Sequence, residues 1–125
     1  MTPIVVRDEE PPEDVVVVVR GGEMNGDHVR RTATDAHDEY GIYAVSVFLA
    51  VDVSVDRLCR ERPELQRYGK VRLSTVGRLR SLGFALIPTL DRPHFDIVLP
   101  DLDGATLDRL EVGFDLPIPN PGRSQ

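Results

Sequence analysis

A chain of 125 residues with 41% hydrophobic content is long enough to close one domain around an apolar core without metal or disulfide staples. A single cysteine, Cys59, excludes an internal disulfide, and no Cys/His partner set points to a structural zinc site. The net charge of −6 and a pI near 5.0 set the chain apart from basic nucleic-acid binders.

The charge is unevenly laid out. Residues 1–14 carry one Arg against five acids, whereas residues 57–80 hold eight basic residues against Glu61 and Glu64. That local excess can meet a phosphate backbone or an acidic partner, or it can be a solvated helical face balanced by the acidic ends. Abundant Val, Asp and Arg, with Lys70 the one lysine, point to a GC-rich, actinobacterial coding background.

In chain order, residues 1–14, with Pro3, Pro11 and Pro12 among five acids, predict a flexible acidic leader. Val15–Val19 is a β-branched run without polar alternation, which predicts a strand buried on both faces. It ends at Arg20-Gly21-Gly22, where glycines allow a tight turn or a close approach to a ligand. A first helix is expected from about Asp27 to Tyr40, capped by Asn25 or Asp27 and stopped at Gly41. Its apolar stripe is Val29, Ala33, Ala36 and Tyr40, with His28 and His37 facing away.

Ile42–Val53 predicts a second strand, and Ser54 a cap for a helix from Val55, with Pro63 interrupting it or opening another. Cys59 within this stretch reads as a small buried apolar residue. Lys70–Leu73 is a short strand, followed by a helix Val76–Leu82 capped by Ser74 or Thr75 and stopped at Gly83. Phe84–Thr89 and His94–Leu99 predict an antiparallel hairpin, Asp103 caps a last helix, and the Pro-rich tail from residue 117 is extended. The fold expected is a single compact α+β domain over residues 15–116, two-layered, with a mixed sheet of about five strands and three to five helices. The longest apolar run, Val15–Val19, is far too short to span a bilayer, so a cytoplasmic protein is expected.

Nucleotide and metal motifs are missing from the sequence, and no metal or cofactor is expected. His94, at a strand start after a turn, suits acid/base work, or it is a structural strand histidine. Arg92 beside it can stabilise a developing anion. Arg20, Arg72, Arg78 and Arg80 are candidate phosphate or carboxylate grips. Ser74 and Thr75 stand at a helix entrance where free amides attract anions, or they simply cap the helix.

The segments VVVRGG (17–22), AVSVF (44–48), VRLSTVGRLRSLGF (71–84), PHFDIVLPD (93–101) and FDLPIPNP (114–121) resemble a family of small uncharacterised actinobacterial proteins, which implies no particular activity. VGRLRSLGF followed by PHFDIVLP is weakly similar to HicA-type toxins, mRNA endonucleases whose hairpin bears a catalytic histidine. That similarity implies a catalytic role for His94, although Arg92-Pro93 stands where those toxins usually carry Gly-Ser. A third resemblance, to ADP-ribosyltransferases, rests on Arg20, Ser74-Thr75 and Glu111.

The resulting expectation is a small toxin–antitoxin-like or defence-module protein that cleaves RNA without metal. The alternative is a non-enzymatic interaction module, an antitoxin or accessory subunit. Partners expected are RNA or a protein encoded nearby, with no membrane and with homodimerisation left open.

Overall fold

The computed structural model describes residues 3–123. Along the chain the elements are β1 (Val16–Arg20), α1 (Gly26–Tyr40), β2 (Ala44–Leu49), α2 (Val55–Glu61), α3 (Pro63–Gln66), β3 (Lys70–Thr75), α4 (Val76–Ser81), β4 (Ala85–Pro88), β5 (His94–Val98), α5 (Gly104–Val112) and β6 (Ile118–Pro119). No helix among the described residues is long and apolar enough to cross a membrane.

Local chemistry sets most boundaries. Asn25 accepts a hydrogen bond from the His28 amide at the start of α1, and Gly41 closes that helix at φ 84. Ser54 caps α2 through the Arg57 amide, and Pro63 occupies the first turn of α3, where its missing N–H costs nothing. Thr75, not Ser74, caps α4 by accepting from the Arg78 amide. At α5 the side-chain cap is displaced: Asp103 makes no capping bond, and Asp101 instead accepts from the Asp103 amide and the Thr106 hydroxyl.

The six strands run in the order β4-β5-β2-β1-β3-β6, and every neighbouring pair is antiparallel. The single α+β domain, its sheet of about five strands and its three to five helices are as expected, with six strands and five helices present, but the sheet expected as mixed is antiparallel throughout. Strand direction follows from which strands become neighbours, and side-chain periodicity carries no information about that.

Two apolar clusters flank the sheet. Val17, Val19, Val47, Leu49, Phe95 and Ile97 pack with Val29 and Ala33 of α1, Val76 and Leu79 of α4, and Leu107 and Leu110 of α5. The alternate residues Val18, Phe48 and Val71 pack on the other face with Leu58 and Cys59 of α2 and Leu65 of α3. Helices therefore lie on both faces, which corrects the two-layer expectation. The reason is visible in β1: Val17, Val18 and Val19 are all buried, so both faces of the central strand need cover. Burying each such side chain contributes about 1.5–3 kcal/mol.

Both chain ends are tied to this frame. Val6 bridges Thr89, the Arg7 amide donates to the Pro88 carbonyl, and the Gly77 amide donates to the Glu13 carbonyl, so the segment expected as a flexible leader runs from the end of β4 to the start of α4. At the other edge, the buried Asn120 amide group donates to the carbonyls of Leu65 and Tyr68 at 2.8 Å each.

Candidate functional site

Pairing between β1 and β2 is confined to Val17↔Leu49 and Val18↔Phe48. Beyond Val18 the two strands diverge, and α1 lies against the splay. Val29 and Ala33 reach the first apolar cluster, while His28, Thr32, Ala36 and Tyr40, spaced four apart, line a series of cavities. The twelve steps of helix from His28 to Tyr40 give that stripe a length of about 18 Å.

The cavities share walls. One of about 300 Å³ at the end of β1 is lined by Arg20, Gly21, Gly22, Glu23, His28, Thr32 and Tyr68. A neck of about 40 Å³ shares Arg20, Glu23, His28 and Thr32 with it and continues to Ser46. Ser46 in turn lines a third cavity of about 70 Å³ with Ala36, Tyr40, His94 and Asp96. Arg20, Ser46, Asp96 and His94 stand on one sheet face, because Ser46 pairs with Asp96 and Phe48 with His94 across β2 and β5. Two expected site residues distant in sequence, Arg20 and His94, thus line cavities at the two ends of the α1 stripe.

His94 is 9% exposed and belongs to a buried polar cluster with Thr89 (0%) and Asp96 (7%). The Thr89 hydroxyl donates to Asp96 Oδ2 at 2.7 Å and lies 2.9 Å from His94 Nδ1. Because that hydroxyl proton goes to Asp96, His94 Nδ1–H donates to Thr89 Oγ1, with the Thr89 carbonyl a second acceptor at 3.3 Å. Nε2 is left as the lone-pair nitrogen of the neutral ring, with no hydrogen bond among the described residues. Burial holds the imidazole below its ordinary pKa; Asp96, the Thr89 carbonyl and Glu64 pull it upward, and Arg7 pushes it further down. The arrangement supplies a neutral, oriented imidazole that can accept a proton, and equally a well-satisfied structural histidine.

Sequence reasoning missed Thr89 and Asp96. Asp96 was legible in principle, since a strand puts residues two apart on the same side and His94 and Asp96 are two apart. Nothing local marks Thr89, which reaches them by closure of the hairpin.

Most of the expected anion grips are committed elsewhere. Arg72 is 5% exposed and donates to the carbonyls of Asp115, Glu111 and Phe114. Ser74 is buried and donates to the Gly113 carbonyl. Arg78 pairs with Asp115 and the Val112 carbonyl, and Arg80 with Glu10. Thr75 spends its hydroxyl oxygen on the α4 cap. The residues expected to hold phosphate, Arg72, Ser74, Thr75, Arg78 and Arg80, thus make contacts that fasten α4 and the α5–β6 connection. Their carbonyl and carboxylate partners come from residues 10 and 111–115, whose proximity is not written in the local sequence.

Arg92 is also turned away from His94. It pairs with Glu9 at 2.9 Å and lines a different cavity, of about 420 Å³, with Arg57, Arg62, Glu61 and Asp52. Arg57 there pairs with Glu61 and Arg62 with Glu64. Glu111 sits in α5 and lines neither cavity that Arg20 lines. Cys59 is fully buried, and its thiol is pushed up to about 11 by that burial and then by Asp56, as for an inert core cysteine. No group of three or more His, Cys, Asp or Glu residues able to hold a metal ion stands together among the described residues. Compared with protein-family models, with curated proteins and with solved structures, the chain matches none.

Proposed function

We propose that the protein is a non-enzymatic partner-binding module, an antitoxin or accessory subunit in kind. The observation that carries this reading is an apolar ridge on the outer edge of the sheet. Val5, Val6 and Leu90 are 64%, 54% and 49% exposed. They lie on adjoining backbone segments, joined by the Val6–Thr89 bridge and by the Leu90 amide donating to the Val5 carbonyl. Exposed apolar side chains beside an outer strand are a recurrent basis for protein association. Within residues 57–80, Arg57, Arg62, Arg78 and Arg80 are in ion pairs and Arg72 is bonded to carbonyls, which supports the same reading by leaving Arg60, Arg67 and Lys70 as the unpaired cations of that stretch among the described residues, in a chain of net charge −6.

The test is co-expression with the product of the adjacent gene. The full-length chain is expected to co-purify with that product in a stable ratio and to leave host growth unaffected when expressed alone. Val5→Asp with Leu90→Asp should abolish the complex while the far-UV spectrum stays unchanged. Growth arrest by the wild type, relieved by His94→Ala, would overturn it.

A second reading keeps the metal-independent phosphodiester cleavage, because His94 has the Thr89–Asp96 pair behind it and Nε2 free. In that case purified protein cleaves single-stranded RNA in the presence of EDTA, and His94→Ala loses the activity.

A further inference from the structure

We infer that the cavity at the end of β1 is a binding site for a small zwitterion of the α-amino-acid type, its carboxylate on Arg20 and its ammonium on Glu23. Among the arginines expected to hold anions, Arg72, Arg78 and Arg80 are committed to internal carbonyls and carboxylates. Arg20 makes no hydrogen bond or ion pair among the described residues and lies over the Tyr68 ring at 5.8 Å. An unpaired, half-buried guanidinium facing a cavity of about 300 Å³ is poised for an anion. A planar guanidinium fork matches a carboxylate through two parallel hydrogen bonds.

The same wall carries Glu23, which does not pair with Arg20 and stands 4.0 Å from His28 Nδ1, too far for a hydrogen bond. A phosphate dianion would meet one cation and one carboxylate in this cavity, gaining little. A ligand with opposite charges a few ångströms apart is complemented at both ends. Thr32 adds a neutral hydroxyl, and the volume, at the small end of ligand pockets, suits a single amino acid. Gly21, at φ +82, keeps the wall bare: a Cβ there would be strained and would approach Tyr68 Cδ1 to 3.7 Å.

The full-length chain, ¹⁵N-labelled, is titrated with each standard amino acid singly, and with acetate, methylamine and inorganic phosphate, up to about 10 mM, above the millimolar range of weak ligands. At least one amino acid is expected to shift the Gly21, Gly22 and Thr32 amides saturably, with acetate and methylamine at least about tenfold weaker. Arg20→Gln should abolish the shifts. Glu23→Gln, at an exposed position that leaves the fold intact, should weaken the amino acid to the level of acetate. Phosphate binding more tightly than every amino acid would overturn the inference. So would the absence of a saturable shift, or a Glu23→Gln variant that binds as the wild type does.

Discussion

Replacing Thr89 by Val tests the polar cluster behind His94 with almost no change of shape. Thr89 is fully buried, and its hydroxyl is the 2.7 Å donor to Asp96 Oδ2. Once it is lost, the nearest donor to that carboxylate is the Ser46 hydroxyl, 3.4 Å from the other oxygen, which is a marginal bond. A hydrogen bond to a charged group contributes about 1.5–3 kcal/mol, and the isosteric methyl opens no cavity, so the expected cost is about 2 kcal/mol. With an unfolding entropy of about 2.1 cal/mol/K per residue over 125 residues, that corresponds to a fall in Tm of about 8 °C. Urea denaturation with unchanged m-value measures the cost directly. A cycle with Asp96→Ala should return a coupling of at least about 1 kcal/mol, because the two groups share one bond. A cost under about 0.5 kcal/mol, or additive effects in the cycle, would refute the assignment of the Thr89 proton to Asp96 and with it the Nδ1–H tautomer of His94.

The stability difference between the wild type and His94→Gln should shrink as pH falls below about 6.5. Burial depresses the folded-state pKa of His94, so the unfolded chain takes up the proton first, and stability present above the ordinary value is lost as pH falls through the folded one; a difference that grows on acidification would contradict this. Arg72→Met should lower stability by about 2–4 kcal/mol in chemical denaturation, since three backbone carbonyls lose their buried donor, and an unchanged midpoint would show that Arg72 is dispensable. Gly122→Ala should destabilise strongly, because a Cβ there overlaps the Cys59 backbone, whereas Gly104→Ala, with open space around it in α5, should be neutral or gain about 0.5–1 kcal/mol; equal effects in thermal melts would contradict the close seating of the tail on α2.

Local signals in the sequence determined the elements. Asn25, Ser54, Thr75, Gly41 and Gly83 bound helices because caps and left-handed stops act within a few residues. The unbroken run at Val16–Val19 specified a strand covered on both sides, since no polar residue alternates within it. His94 and Arg20 were legible as candidates by residue type and position. Only the tertiary structure decided strand order, the burial of Arg72 and Ser74 by the α5–β6 connection, and the short β1–β2 pairing beside which the cavities along α1 lie. Those features depend on which carbonyls and carboxylates arrive from residues some 40 to 80 positions away, as Glu10 and Asp115 do for Arg80 and Arg78. An arginine's role is fixed by its partner, and periodicity along the chain is silent about partners so distant.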